Sequence, residues 1–337
     1  MHTKILYFVS LLLSLMLCST TAFAQTYTWT GLANNNIWQD ANNWSPNTDY
    51  PQGPGTVAQF TSTAPTGPLT NLPISFGSLV LASTFTGTVQ IADNMACDDI
   101  TVDNGTLQIN SGFDVVVANS TDINGGTLTL NDPANQHSLA TLTLNGGTFN
   151  GPPSGSYVTV DNVNILDGTF NGNGGDYELG QNLTLTISGG TFNAGSGNYF
   201  LSITSSNTVF NRTGGTFNRG TSTFSIDVQG SGTRTATIST TTTTGFHDLT
   251  ITSNTATGGR IVAFSGSGTF TIHNELVRTG SLTNVTGTNL QYAPGATLRY
   301  NTTGSQTVFN EWPASSGPTN VIKQNTGTIT LTASRTI

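Results

Sequence analysis

Apolar and polar residues alternate with a period of two along most of this chain. In "LATLTLN", residues 139–145, Leu142 and Leu144 fall on one face while Thr141 and Thr143 fall on the other. "NLTLTIS", residues 182–188, repeats the arrangement with Leu183, Leu185 and Ile187. This is the pattern of half-buried strands. Helical periodicity is absent beyond the first residues, and Gly-Gly, Asn-Gly and Asp-Gly pairs mark the turns.

A repeated phrase organises the alternation. "DNGTLQIN", "INGGTLTLN", "LNGGTFNG", "LDGTFNG", "SGGTFNAG" and "TGGTFNRG" follow one another. The glycine before each threonine is Gly105, Gly126, Gly147, Gly168, Gly190 and Gly215, at intervals of 21, 21, 21, 22 and 25. About three short strands per period predict an all-β fold, a parallel β-solenoid with about 21 residues per coil. The general rule for parallel crossovers makes it a right-handed β-helix. Leu142 and Leu144 share a parity that Phe149 does not, so the chain must turn or bulge between them. Gly146 and Gly147 are expected to supply the backbone angles for that corner. Leu107, Leu128, Phe149, Phe170, Phe192 and Phe217 then form one inward ladder, each worth roughly 1.5–3 kcal/mol on burial.

The same reading divides the chain. Residues 1–24 form an export signal: Lys4, the apolar "ILYFVSLLLSLML", then Ala22-Phe23-Ala24 before a mature start at Gln25. Lipoprotein processing at Cys18 is excluded because Leu17 is too large for it. Residues 25–73 form a Trp-rich N-terminal cap and a Pro-rich connection, 74–220 the regular solenoid, and 221–337 a less regular continuation. Solenoid ends need covers, since bare strand edges invite aggregation. "TITLTASRTI" ends in mid-strand without one, which suggests that the protein continues beyond Ile337. No later run approaches the roughly 18–20 apolar residues of a membrane span.

Composition and charge narrow the function. Charged residues are only 8% of the chain, yet the large apolar residues recur in register, so the chain folds rather than staying disordered. Cys97, the one cysteine after the signal, cannot form an internal disulfide and reads as a small buried residue. Between Gln25 and Asn211 stand thirteen acidic and no basic residues; from Arg212 onward stand eight basic and four acidic ones. No basic stripe with interleaved aromatics is present, which argues against nucleic acid.

Candidate chemistry is sparse. A polysaccharide lyase needs a base, and the regular coils up to Asn211 hold no Lys or Arg. "NTD" at 47–49 and "DD" at 98–99 superficially resemble the polygalacturonase pattern, but its "GHG" and "RIK" elements are missing. His137, His247 and His273 lack metal spacing, and Asp248, the strand neighbour of His247, should point to the opposite face. Asp167, Asn171, Asn173, Asp176 and Glu178 offer hard oxygen ligands of the kind Ca²⁺ takes; solvated turn acids are the alternative. Apart from that Ca²⁺, no cofactor is expected. Trp29, Trp38 and Trp44 read either as a hydrophobic cover over the first coil or as a surface on which sugar rings stack. A Thr-x-Thr array of the ice-binding kind is interrupted at "NVNIL".

The opening "YTWTG…NIWQDANNWSPN", with "FGSLVLASTFTGTVQI" after it, resembles the head of large secreted bacterial surface proteins built from β-helical repeats, including autotransporter passengers and type IX-secreted adhesins. The tail "GSQTVFNEWPASSGPTNVIKQNTGTITLTASRTI" is similar to repeat units of the same group. The resemblance implies secretion to the bacterial cell surface and a non-catalytic role in adhesion or surface architecture, with glycans or neighbouring cells as partners. It carries no site residues. A polysaccharide lyase or hydrolase on the same scaffold is the competing expectation, and a convergent carboxylate cluster in a groove would distinguish it.

Overall fold

A computed structural model of the chain describes residues 24–253, 259–280, 284–331 and 333–335. The export signal predicted over 1–24 lies outside them apart from Ala24. The described chain is nearly all-β, with parallel coils stacked into a β-solenoid of about 12 turns and a coil spacing of about 22 residues. Among the described residues the one helical segment is a 3₁₀ turn, Ala41–Asn43.

Each coil stacks because its inward residues repeat at the coil length. On one side Leu107 pairs with Leu128, Leu128 with Phe149, Phe149 with Phe170, Phe170 with Phe192, and Phe192 with Phe217. Phe170 and Phe192 stack nearly parallel with ring centres 4.6 Å apart, and Phe192 and Phe217 follow at 5.4 Å. Across the core, Tyr177, Tyr199 and Phe224 form a second stack at 5.0 and 4.6 Å. The tyrosine hydroxyls, buried within the core, donate to the Gly172 and Ala194 carbonyls at 3.0 and 2.8 Å. Parallel pairing extends on both sides of residues 74–220. Gln25–Trp29 pairs with Gly53–Phe60 and the latter with Phe76–Leu81, so the stack already begins within the Trp-rich segment. Beyond Gly220 the ladder Thr223–Val228, Thr244–Thr252, Phe270–Thr279, Thr297–Asn301 and Asn320–Gln324 keeps the same stack.

The corner glycines serve two purposes. Gly105, Gly168, Gly190 and Gly215 take positive φ, where a side chain is strained. Gly126 and Gly147 do not, which corrects the expectation that backbone angle explains the glycine at 147. What excludes a side chain there is the coil beneath: a Cβ at Gly126 would stand 2.6 Å from the Gly105 carbonyl oxygen, and one at Gly147 would stand 2.5 Å from that of Gly126. The third residue of "FNG" has a related reason. A Cβ on Gly151 would overlap the hydroxyl of Tyr177, and one on Gly172 that of Tyr199, in each case one coil on. One coil later Ala194 is tolerated, and the stack above it carries Phe224, which has no hydroxyl. Gly172→Ala is therefore expected to cost about 1–3 kcal/mol, and Tyr199→Phe in the same chain should recover part of it, since the Ala194 carbonyl oxygen would still stand 2.9 Å from the new Cβ. Chemical denaturation of the single and double variants measures this directly.

The asparagine of the phrase builds a rail along the axis. Asn150 donates to Thr129 Oγ1, Asn171 to Asn150, Asn193 to Asn171 and Asn218 to Asn193, each of the last three at 2.7–2.8 Å. A shorter rail runs from Asn145 through Asn124 to Asp103. Such head-to-tail amides satisfy each other's polar atoms and fix register.

Three of the eight basic residues of the second half are buried. Arg212 donates to the Gly214, Gly215 and Thr243 carbonyls, and Arg260 donates to those of Gly230 and Gly232. Arg278 takes an inward strand position between Ile251 and Tyr300. It meets Glu311, also fully buried, at 2.6 Å. Glu311 further accepts from the Tyr300 hydroxyl and the Phe309 N–H, and the guanidinium lies 5.9 and 5.5 Å from the Tyr300 and Phe309 ring centres.

Candidate functional site

The tryptophans do not form a sugar platform. Trp29, Trp38 and Trp44 are 2%, 0% and 1% exposed, packed edge to face at 5.1 and 4.9 Å. The Trp38 indole N–H donates to the Pro51 carbonyl and that of Trp44 to the Trp38 carbonyl. The ring faces that a pyranose would need are covered by one another and by Phe60 and Phe76. The neighbouring asparagines hold the loop: Asn43, buried, accepts from Ala33 N–H and donates to Asn35 Oδ1 and the Ile37 carbonyl.

The residues read as Ca²⁺ ligands are otherwise engaged. Asp167 accepts from the Gly168 N–H, Asn171 belongs to the rail, and Asn173 donates to the Gly151 carbonyl. Asp176 accepts from the backbone and side chain of Asn198, and Glu178 from the Tyr157 hydroxyl. These partners lie on different neighbouring coils. Among the described residues no group of three or more His, Cys, Asp or Glu side chains is placed to hold a metal. Cys97 is buried, and burial beside Asp99 and Asp98 pushes its thiol up, out of reach of ordinary thiolate chemistry.

His247 and Asp248 point the same way, contrary to the alternation rule, with Nδ1 and Oδ2 3.0 Å apart. The pairing of Thr244–Thr252 with Phe270–Thr279 slips between Phe246 and Asp248, and this bulge turns both side chains outward. Asn274 donates to the other oxygen of Asp248 at 2.7 Å. His273 has its pKa lowered by burial and by the nearby Arg219 and His247. His137 is buried, accepting from the Val115 N–H at 3.4 Å, and burial lowers its pKa against the pull of Asp114 and Asp132. Both histidines thus fold in the neutral form, whereas the unfolded chain takes up protons near the ordinary 6.5. Their contribution is complete above that value and is lost as pH falls below it. The melting temperature is expected to be lower at pH 5 than at pH 7.5, with His137→Gln narrowing the gap; a pair of thermal melts reads it.

The most developed surface feature lies on the face built by Tyr157–Asn171, Asp176–Leu179, Asn198–Ile203, Thr223–Val228 and the strands after them. Because Tyr199 and Leu201 are inward, the alternation forces Phe200 out, where it stays 39% exposed. It stands in register between Glu178 and Ser225, and the row continues to Thr250. A parallel row holds Ser202, Asp227 and Thr252. Together with Tyr157, Gln181, Gln229 and Thr279 these residues line an open groove of about 550 Å³, within the size range of ligand sites. Tyr157 donates its hydroxyl to Glu178, and Gln229 donates to Asp227 at 2.6 Å. Among the described residues no Lys, Arg or His lines the groove. The signal in the sequence was the unbroken apolar run "YFL" at 199–201, which alternation alone does not explain.

A second outward face is flatter. Thr141 and Thr143 align with Asn162 and Asn164, and the next coil brings Thr184 and Thr186. Asparagine at the middle step breaks a Thr-only array.

No protein-family model matches this chain, and comparison with characterised proteins and with solved structures returns no match.

Proposed function

We propose that the chain is an exported, non-catalytic surface protein acting in adhesion or surface architecture, with glycans as its ligands. The observation that carries this reading is the groove at Phe200. A solvent-facing aromatic ring stands among side-chain carboxylates, amides and hydroxyls on a rigid scaffold, a combination suited to sugar C–H faces and hydroxyls. The covered tryptophans leave this groove as the better sugar surface.

The groove also holds Glu178 and Asp227, so a glycan-cleaving role is the second reading. Several features favour binding. Glu178 and Asp227 are two coils apart, about 9.5 Å across the strands before the offset of two residues along them. Phe200 occupies the intervening coil, and Tyr157 and Gln229 each hold one of the carboxylates.

The test is retention of the chain, purified from Gln25 onward, on insoluble and cell-wall polysaccharides, with reducing ends assayed in the supernatant. Retention without new reducing ends is expected. Reducing ends that vanish in Glu178→Gln or Asp227→Asn would establish the enzyme instead. Failure to bind any polysaccharide would remove glycans as ligands and leave a protein-binding scaffold.

A further inference from the structure

We infer that the groove takes one extended, uncharged polysaccharide chain lying along the stacking axis, advancing about one sugar ring per coil. This rests on the glycan-binding reading and specifies its ligand and geometry.

The direction follows from how the lining repeats. Tyr157, Glu178, Phe200, Ser225, Thr250 and Thr279 come from six successive coils, each paired in parallel with the next. The groove therefore runs across the strands for roughly 24 Å, five spacings of about 4.8 Å. A pyranose in an extended β-linked glycan advances by a length close to that spacing. Successive rings thus meet equivalent outward positions at Glu178, Phe200, Ser225 and Thr250, with Tyr157 two residues before that row and Thr279 two residues after it. Along a strand the match fails, because every second side chain points into the core.

The ligand's charge follows from the lining. Glu178 and Asp227 are acceptors able to bind paired hydroxyls, Gln181 and Gln229 both donate and accept, and the described lining residues include no cation to meet a uronate or sulfate. On the side of the earlier coils the repulsion is reinforced, since no Lys or Arg occurs between Gln25 and Asn211; on the other side the row continues from Thr250 through Val277 to Arg299, whose charge is met by Glu275. A polyanion would be repelled where it passes Glu178 and Asp227, a penalty that a neutral chain escapes. Phe200, at the third of the six coils, supplies the apolar face on which one ring stacks. The groove is organised before the ligand arrives. Glu178 is held by Tyr157 and Asp227 by Gln229; the first three sit on strands whose register is fixed by the core, and Gln229 directly follows one. That reduces the ordering cost of binding.

The experiment is calorimetric titration of the same purified chain with neutral β-linked gluco-, manno- and xylo-oligosaccharides of increasing length, and with oligogalacturonate as the anionic probe. At least one neutral series should bind, gaining affinity until about one ring per coil of the groove is reached and then levelling. Oligogalacturonate should not bind. Phe200→Ala should weaken the neutral ligand about tenfold or more, with a circular dichroism spectrum like that of the parent. Val116→Ala should leave affinity unchanged, since Val116 is exposed in the same outward row but three coils before Glu178. If neutral glycans bind and Phe200→Ala binds them equally, the groove is not the site, although the broader reading survives. Preference for oligogalacturonate would overturn the uncharged class. Affinity that is independent of length would overturn the axial placement. Absence of binding in every series would overturn both readings together.

Discussion

Phe192→Ala is expected to lower the free energy of unfolding by about 3–5 kcal/mol, the usual cost of emptying a phenylalanine site in a packed core. Phe192 is fully buried and touches rings on both sides of its coil: Phe170 below, Phe217 above, and Tyr199 and Phe224 across the core. The backbone of each coil is clamped to its neighbours by parallel hydrogen bonds, so the cavity cannot close by local collapse. In a solenoid each coil is stabilised by contacts with the next, and removing this ring weakens two such interfaces. Phe217→Ala, from the half-buried end of the same stack, should cost clearly less. Urea titrations of the two variants, followed by near-ultraviolet circular dichroism, give the order. Equal losses would show that the stack does not act as a continuous column.

Glu311→Ala should be comparably damaging, by about 3–5 kcal/mol, for a different reason. It leaves the Arg278 guanidinium charged inside the solenoid, and it removes the acceptor used by the Tyr300 hydroxyl and the Phe309 N–H. A paired buried charge and an unpaired one differ far more than either differs from an apolar core. Arg278→Met combined with Glu311→Leu should therefore be more stable than Glu311→Ala alone, although two polar side chains are gone. A double variant no better than the single one would mean that Glu311 acts through backbone geometry rather than through charge.

The coil architecture was legible in the sequence because one number controls it. A period near 21 places Leu128, Phe149 and Phe170 above one another whatever the details of the corner. The corner itself was misread. Gly147 looked like a residue chosen for its backbone angle, but its constraint comes from Gly126 in the coil beneath, a neighbour 21 residues away. The asparagine rail was also visible in principle, as an Asn one place after each aromatic from Phe149 to Phe217, but amides in turns usually have local roles.

The polar features failed for reasons of placement. Alternation assigns His247 and Asp248 to opposite faces, and only the register slip between the two strands reveals the bulge that unites them. The tryptophans could be read as core or as surface because aromatic density marks both. The shape of the first coils decided it. The Arg278–Glu311 pair spans 33 residues, and nothing in the local sequence announces that a loop will carry a carboxylate into the core. The groove depends on which of three adjacent apolar residues faces outward. That choice is fixed by Tyr199 stacking on Tyr177, not by the composition of "YFL".

The asparagine rail also bears on how the protein ages. Several of its amides precede glycine, the pairing in which a free chain deamidates fastest, because the unhindered glycine N–H can attack the side-chain carbonyl. At Asn150 and Asn171 that nitrogen is directed elsewhere: Gly151 N–H donates to the Asn171 carbonyl and Gly172 N–H to that of Asn193, both at 2.8 Å. The side-chain oxygens are themselves occupied by the amide of the next coil. Asn104 is arranged differently, for the Gly105 N–H lies 2.9 Å from its own side-chain oxygen. The rail thus shields labile bonds against slow hydrolytic decay, a form of durability distinct from resistance to unfolding.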